Sequence, residues 1–153
     1  MFGLRWMRVG IGSGALFFDA AGQVLIVKPT YKPDWGIPGG AVETGELMRA
    51  ACVREVREEL GLDVSGLPLP LLCVDSFRDK HGDRLVFIFD GGVLGVAEIG
   101  RIRLQESELS EYRFVEPEEA VRLLGPRRGP RVAHALTERR GAVASAYREG
   151  TAA

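Results

Sequence analysis

The chain has 153 residues, of which 46% are hydrophobic, and its formal net charge is −1. This length and apolar content indicate a single folded domain over residues 1–153 and exclude a disordered chain. The balanced charge gives no reason to expect nucleic acid or an anionic membrane as a partner, and no apolar run approaches the roughly 20 residues of a membrane span. The start lacks a signal-peptide core, and Cys52 and Cys73 both lie in apolar segments. We therefore expect two buried thiols in a cytoplasmic protein.

Two strands are predicted at the start of the chain. Residues 9–19 and 23–28 are apolar runs separated by the turn residues DAAG, which predicts a hairpin. The next segment, PTYKPDWGIPGG, contains three prolines and three glycines and is therefore expected to be a shaped loop. Tyr31 and Trp35 in this loop are candidates to stack on a base, although an aromatic residue beside such a loop more often packs it.

A helix is predicted over residues 47–60. This segment has no proline or glycine and is rich in Ala, Arg, Glu and Leu. Gly61 stands where a left-handed helix end is common, and Thr44 is the expected N-terminal capping residue.

The second half of the chain alternates between strand and helix patterns. Residues 71–77 and 84–90 read as strands joined by a polar turn, and residues 112–115 as a further short strand. Pro117 opens a short helix over residues 117–124, and residues 131–149 are expected to form a last helix with a break at Gly141. Strands and helices mixed in this way indicate a layered α/β or α+β fold.

The predicted helix 47–60 carries an unusual cluster of carboxylates. Glu55, Glu58 and Glu59 share an arc of roughly 100° at the helical advance per residue, beside an apolar stripe. No lysine stands one turn away to relieve the repulsion, as it would on an ordinary acidic surface helix. Clustered carboxylates are hard ligands that suit Mg²⁺ or Mn²⁺ bridged to phosphates, so the stripe is either a solvated face or a metal site.

The residues before the helix favour the metal site. Gly39 and Gly40 follow Pro38, Gly45 precedes Glu46, and the segment REVREELGL ends at Leu62. From Gly40 to Leu62 this spacing resembles the complete Nudix box of the Nudix hydrolase family, with WGIPGG as its usual approach. The resemblance implies an α/β/α sandwich with a mixed β-sheet, in which the box forms a loop–helix–loop catalytic motif. It also implies divalent-cation-dependent hydrolysis of nucleoside diphosphates linked to another group.

The resemblance implies roles for individual residues. Glu55, Glu58 and Glu59, with the backbone carbonyl of Gly39, would be the ligands of Mg²⁺ or Mn²⁺. Glu58 also counts among the catalytic residues.

Three further residues within the box are candidates for supporting roles. Glu46 would be an accessory carboxylate, and Arg54 would orient the ligand glutamates by ion pairing, with a simple loop-steadying ion pair as the alternative. Glu43 is a weaker candidate near the metals.

If the general base is not in the box, the resemblance implies that it lies in the segment QESELSEYRFV, before the strand at 112–115; otherwise the base is Glu46, another box carboxylate or a metal-bound hydroxide. The candidates are Glu106, Glu108 and Glu111, of which Glu108 is favoured, and the alternative is that all three are exposed loop charges.

Several alternatives stay open. A catalytically inactive nucleotide-binding module and an isomerase of the isopentenyl diphosphate type are the rival functions. No subfamily marker identifies the substrate, so a nucleoside triphosphate is also possible, and a homodimer is an alternative to a monomer. The arginines near the C-terminus could meet phosphate, but a solvated helix face is the ordinary interpretation; they are Arg127, Arg128, Arg131, Arg139 and Arg140.

Overall fold

The computed structural model describes residues 3–141 and 145–150. Within these residues the chain forms one mixed sheet with helices on both faces. The elements in chain order are β1 (Val9–Phe18), β2 (Val24–Pro29), β3 (Gly39–Ala41), α1 (Met48–Leu60), β4 (Leu71–Asp79), β5 (Gly82–Val93), α2 (Val96–Gly100), β6 (Leu109–Val115), α3 (Pro117–Leu123), α4 (Gly125–Arg139) and β7 (Tyr147–Glu149).

The sheet is arranged around β1. Its strand order is β6-β2-β1-β5-β4-β7, and the short β3 also pairs with β1. The pairs β1–β5 and β4–β7 are parallel and the others are antiparallel, so the sheet is mixed. The predicted β1–β2 hairpin is confirmed, as is the hairpin of β4 and β5, whose strands extend until only Lys80 and His81 connect them.

Two hydrophobic clusters hold the helices against the sheet. Along β1, Ala15 and Phe17 pack with α1, while Leu16 and Phe18 point the other way and pack with α3 and α4. A strand that is buried on both faces reads as a continuous apolar run, which is why ALFF shows no alternation in the sequence. The layers are those of the predicted α/β/α sandwich. None of the helices in the described ranges is long and apolar enough to cross a membrane.

Of the two ends of α1, only the C-terminal one agrees with the sequence-based prediction. Gly61 adopts a left-handed φ of 71° and its N–H donates to the carbonyl of Arg57 at 2.9 Å, as predicted. The prediction that Thr44 caps the start is wrong, because the capping position is Leu47, whose side chain makes no capping hydrogen bond. The hydroxyl of Ser13 in β1 instead donates to the carbonyl of Met48 at 2.6 Å, so the sheet attaches the first turn.

The C-terminal part differs most from the prediction. The last helix begins earlier, at Gly125, and ends at Arg139; residues 142–144 of the predicted helix lie outside the described part of the chain. Tyr147–Glu149 is a strand parallel to β4 and not a helix. Hydrogen bonds to the backbone of β4 explain this, since a sheet edge offers partners that sequence periodicity does not reveal.

Candidate active site

Two glycines allow the loop before α1 to lie against both β1 and the helix. A Cβ on Gly39 would lie 2.4 Å from the carbonyl oxygen of Ser13, and a Cβ on Gly40 would lie 2.5 Å from the carboxylate of Glu55. Any larger residue would push β3 away from one of these neighbours. The glycine pair therefore brings the carboxylates of α1 against the backbone of β3.

Glu59 is the most enclosed carboxylate of the stripe. It is only 7% exposed, and its Oε2 accepts a hydrogen bond of 3.1 Å from the N–H of Gly39. Burial raises the pKa of Glu59 to about 8, with further increases from the charges of Glu55, Glu108 and Glu58, against the opposing effect of the Gly39 N–H. A carboxyl in this position lacks a compensating positive charge.

Glu55 shares this environment in a milder form. Burial raises its pKa, and the charges of Glu58 and Glu108 add to the rise, while Arg54 opposes it. Glu58 lies next to it on the exposed side of the helix. The three predicted ligands therefore line one face of α1, with Glu58 the most exposed and Glu59 the most buried.

Arg54 connects the carboxylates of the loop and the helix. Its Nε and Nη2 donate to the two oxygens of Glu46 at 2.8 and 3.0 Å, a bidentate pair, and Nη2 also donates to the carbonyl of Ala41 at 3.0 Å. Its Nη1 donates to Glu55 at 2.9 Å and to Glu58 at 3.3 Å. The hydrogen bonds from Arg54 lower the pKa of Glu46 to about 2, which keeps this carboxylate ionised.

The weaker candidate Glu43 stands at the edge of this network. Its carboxylate is exposed and lies 3.9 Å from Arg54. At that distance it adds charge to the site without holding the guanidinium in place.

The donor set suits a hard divalent cation, although its side chains are engaged elsewhere. Across residues 3–141 and 145–150, no three Asp, Glu, His or Cys side chains converge in metal-binding geometry. Arg54 holds Glu55 and Glu58, and the Gly39 N–H holds Glu59. Three clustered carboxylates that have one guanidinium between them nevertheless match the preference of Mg²⁺ and Mn²⁺, and rotation away from Arg54 would free two of them. The ligand roles, including that of the Gly39 carbonyl, stay predictions.

The three candidates for an external base occupy different places. Glu108 lines a cleft beside α1, and its charge raises the pKa values of Glu55 and Glu59. Glu111 is not in a loop, because β6 begins at Leu109, and it pairs with Arg113 at 3.2 Å on the exposed strand. Glu106 is exposed and does not line the cleft. Only Glu108 is therefore brought to the carboxylates of the helix.

The cleft has a volume of about 350 Å³ and an asymmetric charge. Glu59 and Glu108 form what we call its acidic side, next to α1. Lys32, Arg128 and Arg131 form what we call its basic side, next to α4. Its floor includes the β1 and β5 residues Gly12, Gly14, Val86 and Ile88.

The two loop aromatics differ in their availability to a ligand. Tyr31 is exposed and lines the cleft. Trp35 is only 8% exposed and packs in the cluster with α3 and α4, while the guanidinium of Arg113 lies 4.7 Å from its ring centroid. Trp35 thus packs the loop, and only Tyr31 is free to stack on a base.

The basic side is the part of the site that sequence reasoning missed. Arg131 was expected on a solvated face, yet it is 7% exposed and its Nε donates to Asp75 at 2.7 Å. A signal was present, because Arg128 and Arg131 are spaced with Val132 and Ala135 along one face of α4. An arginine on an apolar stripe packs its aliphatic stem against the fold, and the guanidinium of Arg131 is buried as well because Asp75 pairs with it.

Both cysteines are free and buried. Burial raises the pKa of each thiol to about 12, with smaller contributions from Glu59 at Cys52 and from Asp75 at Cys73. Neither thiol lines the cleft, so the isomerase alternative gains no support from them.

The chain resembles known proteins in both sequence and fold. A family model described as NUDIX domain matches residues 9–136. The chain is 32% identical over 124 residues to an uncharacterised Nudix hydrolase of Pseudomonas aeruginosa, covering 74% of this chain and 66% of that protein. It is 28% identical over 119 residues to an RNA pyrophosphohydrolase of Gluconacetobacter diazotrophicus, covering 72% of this chain and 65% of that protein. The chain thus spans slightly less than two thirds of the length of these relatives. Among solved structures, a MutT protein from Methanosarcina mazei superposes with a TM-score of 0.70 at 22% identity, covering 87% of this chain and 94% of that one, which shows a shared fold.

Proposed function

Because the chain belongs to the Nudix hydrolase family, we propose that it is a divalent-cation-dependent hydrolase that cleaves a diphosphate linkage in a nucleoside diphosphate derivative or a nucleoside triphosphate. The observation that carries this proposal is a group of carboxylates beside the cleft, where burial and mutual repulsion raise the pKa values of two of them. The group consists of Glu55, Glu59 and Glu108, and the raised pKa values are those of Glu55 and Glu59. The name of the Gluconacetobacter relative, a pyrophosphohydrolase, supports the reaction type.

The cation would be held by the side chains of Glu55, Glu58 and Glu59 and by the carbonyl of Gly39. Mg²⁺ or Mn²⁺ bound there would neutralise phosphate oxygens and lower the pKa of a bound water. The raised pKa values of Glu55 and Glu59 support this assignment, because a cation relieves the same repulsion and desolvation that raise them.

Two residues have roles other than cation binding: Glu108 in proton transfer and Arg54 in positioning. Glu108, at the cleft wall, accepts a proton from the attacking water while the oxygen of that water bonds to phosphorus. The bridging P–O bond breaks, which releases a nucleoside phosphate and the phosphorylated remainder, or a monophosphate and pyrophosphate from a triphosphate. Arg54 is held by the ionised Glu46, and it in turn holds the backbone at Ala41 next to the carboxylates of α1.

The test is a panel of nucleotide substrates with Mg²⁺, in which the nucleotide and pyrophosphate products are separated from the substrate by ion-exchange chromatography. Glu58→Gln keeps the side-chain shape but removes a ligand charge, so turnover should fall by at least about 10²-fold while the fold persists. Glu118→Gln, an exposed carboxylate at the start of α3, is the matched control and should behave as wild type. Activity undiminished in excess chelator would contradict the proposal.

A non-catalytic nucleotide-binding module is the second candidate. The engagement of Glu55 and Glu58 by Arg54 favours it, because a guanidinium already occupies the space of a cation. The same panel separates the two, since a binding module would bind nucleotides without Mg²⁺-dependent turnover.

The proposed partner is a small nucleotide-type substrate, with neither nucleic acid nor a membrane as a further partner. The proposal places the enzyme in the cytoplasm, where two buried free thiols would stay reduced. A homodimer is kept as an alternative to the monomer.

A further inference from the structure

The basic side of the cleft is built from two separate parts of the chain. Lys32 comes from the loop after β2, and Arg128 comes from the first turns of α4. Both line the cleft that Glu59 and Glu108 line from the acidic side. The glycines of β1 leave its floor open, and Gly14 could not carry a side chain because its Cβ would lie 2.6 Å from the carbonyl oxygen of Pro38.

These two cations have no acidic partner within ion-pair distance in the described ranges. The only hydrogen bond of the Arg128 guanidinium there is a long one of 3.4 Å to the carbonyl of Trp35. Lys32 lies 5.3 Å from the ring centroid of Tyr31. Their charges are thus left free to act on whatever enters the cleft.

The two side chains are also crowded by like charge. Burial lowers the pKa of Lys32, and the nearby Arg128 and Arg127 lower it further. Burial likewise lowers the pKa of Arg128, together with Arg131 and Arg127, against the opposing effect of Asp34. An anion bound between them would relieve both effects, as a cation would on the acidic side.

Arg131 supplies an independent observation in the same place. It lines the cleft, its Nε is bound to Asp75, and its guanidinium lies 4.7 Å from the ring centroid of Phe77. Its Nη2 is buried and has no hydrogen-bond partner among the described residues. A buried charged donor without an acceptor destabilises a fold, and an anion in the adjoining cleft would offset part of that penalty.

We propose that Lys32 and Arg128, backed by Arg131, form a second anion subsite that binds a phosphate of the substrate remote from the diphosphate that is hydrolysed. The inference rests on the proposed function for its substrate, and it deepens that function. If the basic residues formed only a solvated helix face, they would have no reason to line the same cleft as the carboxylates Glu59 and Glu108. A substrate with negative charge at two separated positions fits both sides of the cleft.

This arrangement selects a substrate class. The favoured substrates are nucleotides with at least one phosphate beyond the scissile diphosphate. That phosphate can be attached to the ribose, can belong to a longer polyphosphate chain, or can be the phosphodiester of a following nucleotide. Their shared chemistry is a dianionic or bridging phosphate that accepts hydrogen bonds from Arg and Lys.

The first experiment measures binding without turnover. Pyrophosphate is titrated calorimetrically into metal-free protein, whose acidic side then repels anions. Pyrophosphate should bind, and Lys32→Gln or Arg128→Gln should weaken its Kd by about tenfold or more, the usual effect of a lost charge-assisted hydrogen bond. Arg127→Gln is the matched control, because Arg127 is exposed on the same turn and does not line the cleft. Absence of binding, or an equal loss in all three variants, overturns the subsite.

The second experiment uses turnover with Mg²⁺ on matched substrate pairs. The pairs are ADP-ribose and its 2′-phosphate, adenosine 5′-triphosphate and 5′-tetraphosphate, and a 5′-triphosphate mononucleotide and dinucleotide. At least one member with the extra phosphate should have the lower KM, and Arg128→Gln should abolish that advantage by raising this KM to that of the other member of the pair. The pair that responds identifies the source of the phosphate, and equal KM values in all pairs overturn the proposal. If no substrate is hydrolysed, the proposed function fails, while pyrophosphate binding still decides the subsite.

Discussion

The buried ion-pair network of Asp75 is expected to be a main contributor to stability. Asp75 is 1% exposed, and its two oxygens accept hydrogen bonds from Arg131 at 2.7 Å and from Arg148 at 2.9 Å. It therefore joins three elements, since Arg131 lies in α4 and Arg148 in β7, while Asp75 lies in β4. Asp75→Asn would keep the shape but leave two guanidiniums without a counter-charge.

The magnitude follows from burial. Removing one partner of a buried pair typically costs about 3–5 kcal/mol, because the other charge stays in the interior. The loss at Arg131 should be nearly full, whereas Arg148 is partly exposed and water will screen it. We therefore expect Asp75→Asn to lower the free energy of unfolding by about 3–5 kcal/mol, a large part of the ~5–15 kcal/mol of an ordinary domain.

The assay is urea unfolding followed by circular dichroism, with m compared between variants. Asp83→Asn is the matched control on the neighbouring strand, since it breaks an ion pair of 2.7 Å with the exposed Arg78. That change should cost less than about 1 kcal/mol. Equal small losses for Asp75→Asn and Asp83→Asn would refute the reasoning that burial, and not distance, determines the contribution of these pairs.

Four further outcomes are expected. Without added metal, the free energy of unfolding should fall as pH rises from 4.5 toward 8, by up to about 1.4 kcal/mol per pH unit. The reason is that the fold favours the protonated form of Glu59, whereas the unfolded chain releases this proton near pH 4.5. Glu59→Gln should flatten this slope in urea unfolding measured at several pH values. Saturating Mg²⁺ or Mn²⁺ should raise the Tm by mass action, and an unchanged Tm would count against a site in the native state. Glu108→Gln should lower kcat by about 10²-fold with little effect on metal affinity, and a change of only a few-fold would return the base to the box carboxylates or to a metal-bound hydroxide. Native protein at pH 8 should react slowly with a thiol reagent at Cys52 and Cys73, whose pKa values are about 12, and rapidly once unfolded.

Arg54 forms ion pairs with three carboxylates of the candidate site. It holds Glu46, Glu55 and Glu58 together, which offsets the repulsion of the stripe. Cation binding would draw Glu55 and Glu58 away from it and leave the bidentate pair with Glu46. Glu46 accepts two guanidinium hydrogen bonds, from Nε and Nη2, whereas Glu55 and Glu58 share the single Nη1, so the loop would keep its shape during that exchange.

Local patterns in the sequence determined the acidic half of the candidate site, which lies on α1. The carboxylate face of α1 and its end at Gly61 depend on residues that are near one another along the chain. Helical periodicity and the steric limits of glycine act over a few residues, so they can be read without a fold. The same holds for the hairpin of β4 and β5, whose turn residues lie between its strands.

Only the tertiary structure decided the basic half. Arg131 becomes a buried cleft residue because Asp75, 56 positions away, supplies its counter-charge, and Lys32 faces Arg128 only because a loop and α4 meet over the sheet. Tyr147–Glu149 is a strand because β4 offers an edge, although its composition suits a helix. Burial, charge pairing and edge pairing depend on segments distant in sequence, and these long-range interactions override local preference where they are stronger.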